Sequence, residues 1–259
     1  MLSKSQLSLI KSLHFKKFRN QHRLFIVEGH KSITEFLDAK YSLAQLFYIP
    51  ENISKVAKFP HKMKHYEITS LDFNKISTLK NPNGTLALFE IPNDSGIDGL
   101  ELKGRYSLVL DYVQDPGNLG TIIRTADWFG IENIICSSDT ADCYNPKVVQ
   151  ATMGSLARVS IHYTNLEEWL PRMDMKVYGA SLDGTPLYNC DFGGINKDGS
   201  AQGAEGLIIL GNEGQGIRQQ LNPFINEAIT IPRFGSAESL NVAIAASLIC
   251  SEIRRSSFN

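Results

Sequence analysis

Three polar segments, each following a predicted strand, carry the residue types best suited to chemistry. The first is QDPGNLG (residues 114–120), which opens a predicted helix bearing Arg124. Asn118 has an amide that can cap this helix or hydrogen bond to a ligand, and Arg124 lies just under two turns further along, within reach of the strand end. Two structural alternatives remain open: Asn118 as a plain helix cap, and Arg124 in a surface ion pair with Asp127 or Asp115.

The second segment is GNEGQG (residues 211–216), whose three glycines allow a backbone to approach a ligand closely. It lacks the Gly-Lys-Ser/Thr ending of a phosphate-binding loop, and the carboxylate of Glu213 would repel a phosphate. The segment therefore favours a ligand with a cationic or hydroxyl-bearing part. The alternative is a glycine-rich turn in which Glu213 caps the next helix.

The third segment is PRFGSAESLN (residues 232–241), which leads into a long apolar helix. Ser236 or Ser239 is the predicted N-cap of that helix. Ser239 and Asn241 place polar side chains at the helix entrance, which is unusual for a purely structural start. Capping alone remains the alternative for both residues.

The elements that must position these segments alternate between short apolar runs and helical patterns, which predicts the α/β class with a parallel sheet. In such sheets ligands collect at the carboxyl ends of strands, where all three segments lie. Predicted strands cover residues 24–27, 45–49, 85–89, 107–113, 133–136, 176–180, 206–210 and 228–231, and predicted helices cover residues 4–18, 32–39, 70–79, 117–129, 146–158, 166–173 and 239–255.

Charge divides the chain into two parts. Residues 1–90 hold 14 Lys and Arg against 7 Asp and Glu, whereas residues 91–259 hold 12 against 20. A basic part suggests contact with a polyanion, although a solvated basic face without a partner is an equal alternative. We predict domains at residues 1–92 and 105–259, joined by a Gly- and Pro-containing linker at residues 93–104. Residues 191–206 are predicted to form a long surface loop.

Several protein classes are disfavoured. No apolar stretch approaches the ~18 residues of a membrane helix, and the N-terminus has no secretory hydrophobic region. The four cysteines form no C-x-x-C pair, which argues against a zinc ribbon or redox motif and for reduced thiols in a cytoplasmic protein.

Together and in this order, the three segments resemble the signature motifs of the SpoU (TrmH-like) family of RNA 2′-O-ribose methyltransferases, within the SPOUT class. The residues on which this resemblance rests are DPGNLG with Arg124, LGNEG with Gly216, and Ile231-Pro232 followed by SLNV. The resemblance extends over residues 106–255. The basic part is more loosely similar to the small substrate-binding domain often fused to this family, which resembles ribosomal proteins, through FIVEG (residues 25–29) and NGTLA (residues 83–87).

The resemblance implies a parallel sheet with a trefoil knot, S-adenosylmethionine as methyl donor, a homodimer, an rRNA or tRNA substrate and no metal. It implies cofactor binding by Gly211, Ile231 and Leu240. It implies active-site roles for Asn118, Arg124, Glu213, Ser239 and Asn241. A ribose hydroxyl is a poor nucleophile, so its deprotonation needs help, and a protonated guanidinium is better suited to stabilising an alkoxide than to acting as a base.

In the basic part, Lys16, Lys17, Arg19 and Arg23 are the predicted RNA-binding residues, interleaved with aromatic side chains suited to stacking. A half-buried helix face is the alternative for this stretch. Two other functions compete with methyl transfer. A nucleotide-dependent oxidoreductase is disfavoured by the missing G-x-G-x-x-G, and a non-catalytic RNA-binding protein with an inactive methyltransferase domain is the main alternative.

Overall fold

The computed structural model describes residues 2–55, 64–93, 96–97, 100–195, 201–202 and 205–255. It divides into two compact units: Met1–Asp94 with Asp142–Arg158, here called unit 1, and Ser95–Ala141 with Val159–Asn259, called unit 2. The domain and linker boundaries predicted from the sequence stay a prediction.

Unit 1 contains a four-stranded sheet and short helices. The helices are α1 (Lys4–Ser12), α2 (Lys16–His22), α3 (His30–Asp38), α4 (Ser70–Phe73) and, from the second segment, α6 (Pro146–Thr152); the strands are β1 (Leu24–Glu28), β2 (Leu43–Tyr48), β3 (His65–Glu67) and β4 (Thr85–Glu90). The strand order is β1-β4-β2-β3, with β4 antiparallel to both neighbours and β2 parallel to β3. The α/β class predicted for the smaller N-terminal domain is therefore confirmed, but its sheet is mixed and not parallel.

Three helix predictions in unit 1 need correction. The helix predicted over residues 4–18 is two helices, because the chain turns at residues 13–15 and Leu13 becomes a fully buried core residue. The helix predicted over residues 70–79 ends at Phe73, and that predicted over residues 146–158 ends at Thr152. Met153 follows in the left-handed conformation at φ 53°, which is how many helices end.

Residues 142–158 pack within unit 1 although they lie far along the chain from residues 1–94. Tyr144 places its ring 4.7 Å from the Phe25 ring, in an aromatic cluster with Phe36 and Phe89. Burial raises the pKa of the Tyr144 phenol well above its ordinary value, so this side chain stays neutral. This contact makes the segment part of the core of unit 1.

Unit 2 is built on a parallel six-stranded sheet, which confirms the predicted fold class for this part of the chain. Its strands are β5 (Tyr106–Leu110), β6 (Asn133–Ser137), β7 (Ser160–Thr164), β8 (Val177–Pro186), β11 (Gly206–Leu210) and β12 (Glu227–Thr230), in the order β12-β8-β11-β5-β6-β7. The helices are α5 (Pro116–Trp128), α7 (Leu166–Trp169) and α8 (Val242–Arg255). β5, β6 and β11 are buried throughout, as expected for strands covered on both faces. The trefoil knot stays a prediction.

Helices α5 and α8 pack side by side and run parallel. Near their first turns, the Nδ2 atom of Asn241 donates to Oδ1 of Asn118 at 2.9 Å. At their other ends, the Arg254 guanidinium donates to the carbonyl oxygens of Phe129 at 2.5 Å and Gly130 at 2.8 Å. Arg254 thus satisfies carbonyls at the carboxyl end of α5 and fixes the two helices in register.

Part of the surface loop predicted at residues 191–206 forms two short strands. β9 (Gly194–Ile195) and β10 (Ala201–Gln202) pair antiparallel, and residues 196–200 and 203–204 lie outside the described part. Phe192 is buried against Tyr178, and its carbonyl accepts a 2.6 Å hydrogen bond from the Tyr106 hydroxyl. The segment therefore begins by covering the amino ends of β5 and β8.

Within the described ranges, no helix is both long enough and apolar enough to cross a membrane.

Candidate functional site

The three polar segments meet in unit 2 at the carboxyl ends of β5, β11 and β12. The side-chain amide of Asn118 donates to Oε1 of Glu213 and accepts from Asn241, so one hydrogen-bonded chain joins all three segments. These residues are separated by 95 and 123 positions in sequence. The structure therefore brings together three of the five residues predicted to be catalytic.

The capping roles differ from those predicted. Asp115, not Asn118, caps α5 by accepting from the Asn118 N–H at 2.8 Å. Asn241 caps α8, since its Oδ1 accepts from Ala243 N at 2.9 Å, so the prediction of Ser236 or Ser239 is wrong. Glu213 caps no helix and instead accepts from Asn118.

Both helix amino termini therefore open onto the Asn118–Glu213–Asn241 cluster. The amino end of an α-helix carries a partial positive charge, because its first N–H groups lack helical acceptors. Asn118 and Asn241 also present amides that donate and accept hydrogen bonds. The arrangement is suited to orienting a polar ligand through hydrogen bonds beside the Glu213 carboxylate.

The loop at residues 211–216 is held in a tight conformation by Asn212, a residue that sequence reasoning missed. Its Oδ1 accepts from Gly214 N at 2.9 Å, and its Nδ2 donates to the Tyr112 carbonyl at 3.2 Å. Asn212 and Gly216 also exchange two backbone hydrogen bonds, of 3.1 and 2.8 Å. An asparagine two residues after a strand, in a glycine-rich segment, was the available signal, because such side chains readily bond to nearby backbone.

Gly211 is required by close backbone packing. A Cβ atom there would lie 2.2 Å from the carbonyl carbon of Gly216 and 2.3 Å from the nitrogen of Ile217. Both are backbone atoms of the same loop, so a side chain would displace the loop itself. The close approach seen here is between two parts of the loop itself, and the predicted approach of its backbone to a ligand stays a prediction.

A cavity of about 1000 Å³ lies between this loop, the end of β8 and the segment leading into α8. The predicted cofactor residues Gly211, Ile231 and Leu240 all line it, as do Glu213 and Ser239. Its other apolar walls come from Leu210, Ile229 and Val242, with the exposed Leu182 at the edge. Its size and its mixture of apolar walls with a few polar groups fit a small organic ligand.

Arg124 lies on the exposed face of α5 and takes no part in the hydrogen-bonded cluster. None of the residues that the structure describes forms a hydrogen bond or ion pair with it, so the ion pairs with Asp127 or Asp115 are not made. An exposed guanidinium with no partner among the described residues is available to a ligand.

The basic residues predicted to bind RNA separate into two groups in unit 1. Lys16, Lys17 and Arg23 are exposed, although the Arg23 guanidinium also donates to the carbonyls of Ile91 at 3.0 Å and Pro92 at 2.5 Å. Arg19 is only 2% exposed and is held by Asp142 at 2.5 Å and by the Leu13 carbonyl at 2.8 Å. Its predicted RNA contact is wrong, because a buried, fully engaged guanidinium cannot reach a phosphate.

We expect Arg19→Met to lower the free energy of unfolding by about 3 kcal/mol, because Asp142 would keep a largely buried charge without its partner. Urea denaturation monitored by circular dichroism measures the effect. Lys17→Met, on the exposed side of the same helix, is the matched control and should change stability by less than about 0.5 kcal/mol. Equal effects from the two variants would contradict a structural role for Arg19.

Among the described residues, no group of three or more His, Cys, Asp or Glu side chains is arranged to hold a metal ion.

Comparison with known proteins adds three findings. The SpoU rRNA Methylase family matches residues 105–251, and the MRM3-like substrate binding domain matches residues 4–87. Among curated proteins, the 23S rRNA (guanosine(2553)-2′-O)-methyltransferase RlmP of Bacillus subtilis is 29% identical over 94% of both chains.

Two solved structures are similar over nearly the whole chain. One, assigned to the TrmH family of RNA methyltransferases and coming from Porphyromonas gingivalis, is 39% identical, with a TM-score of 0.86 over 99% of this chain and 100% of the other. The second is an AdoMet-bound rRNA methyltransferase from Sinorhizobium meliloti, 30% identical with a TM-score of 0.86 over 98% of this chain and 97% of the other.

Proposed function

Since this chain belongs to the SpoU rRNA methylase family, a family of RNA methyltransferases, we propose that it transfers a methyl group from S-adenosylmethionine to a ribose 2′-hydroxyl of rRNA or tRNA. The observation that carries the proposal is the Asn118–Glu213–Asn241 cluster beside the glycine-walled cavity. The hydrogen-bonding side chains of the cluster and the ligand-sized cavity both lie in unit 2.

The residues of the cavity fit S-adenosylmethionine. Ile231 and Leu240 supply apolar walls for an adenine ring, and the glycines of the 211–216 loop present backbone rather than side chains to the cavity. Glu213 supplies negative charge to the cavity wall, which suits a cationic ligand. When bound, this cofactor supplies an electrophilic methyl group on a sulfonium centre. We assign Gly211, Ile231 and Leu240 to its binding.

The protein's contribution to such a reaction is alignment, because the methyl donor is already electrophilic. We assign Asn118 and Asn241 to orienting the ribose, since their amides lie at the convergent amino ends of α5 and α8. Glu213 fixes the orientation of Asn118 by accepting its N–H. Ser239 lines the cavity and is exposed, so its hydroxyl is free to meet the substrate.

Arg124 is assigned to stabilising the 2′-oxygen as it loses its proton. Its exposure and its lack of a partner within the described fold leave the guanidinium free to contact a ribose or phosphate. Preorganised positive charge of this kind lowers the barrier where negative charge develops.

We assign RNA binding to unit 1, with Lys16, Lys17 and Arg23 as contacts. Phe15 is 65% exposed beside these residues, and an exposed aromatic ring next to lysines is suited to stacking on an unpaired base. The match of residues 4–87 to a substrate binding domain supports this assignment.

The chain is also proposed to form a homodimer through the outer face of α5 and α8. Trp128 is 85% exposed, and Ile244 and Leu248 on the neighbouring helix are 49% and 37% exposed. Ile244 and Leu248 are four residues apart and so lie on one helix face. A second copy of the same helix pair offers a self-complementary apolar surface.

We expect Trp128→Glu to weaken self-association by roughly 30-fold in Kd, because a central interface tryptophan contributes about 2 kcal/mol or more. Analytical ultracentrifugation measures the change. Leu71→Glu is the matched control, since Leu71 is 77% exposed on α4 of unit 1 and should leave the assembly unchanged. A wild-type protein that sediments as a monomer at high micromolar concentration would rule out this dimer.

The proposed function is tested by incubating the protein with unmodified total RNA and S-adenosylmethionine labelled in its methyl group. Label should enter RNA and should require both cofactor and folded protein. Binding of RNA without any transfer of label, in the presence of bound cofactor, would instead support the alternative of a non-catalytic RNA-binding protein.

A further inference from the structure

A charged cluster beneath the 211–216 loop is not used by the chemistry proposed above. Asp111, directly after β5, is fully buried. Its Oδ2 accepts from Arg218 N at 2.8 Å, and its Oδ1 accepts from Arg218 Nε at 2.7 Å and pairs with Arg218 Nη2. The remaining guanidinium nitrogen, Nη1, donates to Asp139 at 2.9 Å.

The burial of Asp111 makes this pairing obligatory for the local conformation. A carboxylate removed from water is tolerated only when paired and hydrogen bonded, and here Arg218 supplies both the charge and three donors. The bond to Asp111 also raises the pKa of Arg218 above its ordinary value, so the charge on the guanidinium persists. Arg218 itself is only one-third exposed.

The same cluster connects the loop after β11 to the carboxyl ends of β5 and β6. Tyr112, next to Asp111, accepts from Asn212 at 3.2 Å through its carbonyl and donates its N–H to Ser137 Oγ at 2.9 Å. Ser137 Oγ in turn donates to Asp139 at 2.6 Å. Asn212 thus holds one end of the loop and Arg218 holds the other. Both residues bond to groups directly after the carboxyl end of β5, namely the Tyr112 carbonyl and the Asp111 carboxylate.

We propose that Arg218 and Asp111 are positioning residues that clamp the 211–216 loop in the conformation that accepts S-adenosylmethionine. The inference rests on the proposed function, because it concerns the cofactor of that reaction. Neither side chain lines the cavity, whereas the loop between Gly211 and Ile217 forms one wall of it. Loosening the clamp should therefore weaken cofactor binding more than it slows the chemical step.

The test compares cofactor affinity with fold stability in four proteins. Arg218→Met leaves Asp111 buried and unpaired, so this variant should lose both stability and affinity. The double variant Asp111→Asn with Arg218→Met removes both charges and should recover stability without recovering affinity. Arg105→Met removes an exposed ion pair with Glu132 in the same unit and is the matched control.

Isothermal titration with S-adenosylmethionine, thermal denaturation and steady-state kinetics provide the readouts. We expect the double variant to bind cofactor at least tenfold more weakly, with a higher KM for cofactor and with kcat at saturation within about threefold of wild type. A double variant that binds cofactor as tightly as the wild type would overturn the positioning role but would leave the proposed function standing. A wild-type protein that fails to bind cofactor would overturn the proposed function, and this inference with it.

Discussion

Replacement of Arg124 by alanine is expected to lower kcat for methyl transfer by about 100- to 1000-fold, the range seen when one preorganised electrostatic contact to a developing charge is removed. Cofactor affinity and thermal stability should stay at wild-type values. The reason lies in the position of Arg124, which is exposed on α5 and has no hydrogen bond or ion pair to lose within the described fold. Single-turnover label transfer measures the rate, and isothermal titration measures cofactor binding.

Two further variants make this result interpretable. Arg172→Ala removes another exposed arginine of unit 2 and should leave the rate unchanged. Arg124→Lys keeps the charge without the planar fork and should retain part of the activity if the role is electrostatic. Wild-type turnover by Arg124→Ala would remove this residue from the mechanism.

The second large effect is expected at Gly211, where alanine should weaken cofactor binding at least tenfold. The added Cβ would lie 2.2 Å from the carbonyl carbon of Gly216, well inside contact distance, and the atoms it meets are backbone. The loop must therefore move, and overpacking of this kind costs about 1–3 kcal/mol. Titration with S-adenosylmethionine measures the loss.

Gly214 in the same loop provides the matched control. A Cβ there would meet only the Asn212 side chain, at an ordinary 3.5 Å, so Gly214→Ala should bind cofactor nearly as the wild type does. If Gly211→Ala and Gly214→Ala bound equally well, the close packing at Gly211 would not determine the cofactor site.

Much of unit 2 could be predicted because its strands are continuous apolar runs bounded by turn residues. β11 was predicted with its observed ends, because GLIIL is a continuous apolar run followed by Gly211-Asn212. In the structure all five of its residues are buried. β7 was missed because SIHYT mixes polar and apolar residues, and as the last strand of the sheet it is only half-buried. Edge strands are partly exposed to solvent, so their sequences show a weaker hydrophobic pattern.

The positions of polar side chains at the helix starts were only partly predictable. Ser236, Ser239 and Asn241 are all good N-caps, and the sequence does not say which one the tertiary structure selects. Asn241 takes the role because its side chain is also fixed by the bond to Asn118, 123 positions away. Local sequence propensity carries no information about long-range contacts of this kind.

Arg19 illustrates the same limit in unit 1. Its neighbours Lys16, Lys17 and Arg23 are exposed, and a basic run of this kind is typical of a nucleic-acid surface. Its burial depends on Asp142, which comes from a segment 123 residues later that packs into unit 1. Nothing in the spacing of residues 16–23 indicates that partner.

Whether the methyl group goes to a ribose oxygen, as we propose, or to a base is decided by locating it chemically in the product. RNA methylated by this protein would be digested to nucleosides, and mass spectrometry would show whether the added methyl stays with the sugar when the glycosidic bond breaks. We predict a methylated ribose, with a phosphodiester at the same nucleotide that resists alkaline cleavage because its 2′-hydroxyl is blocked. A methyl group that remains on the base, with normal alkaline cleavage at that nucleotide, would contradict methylation of the ribose.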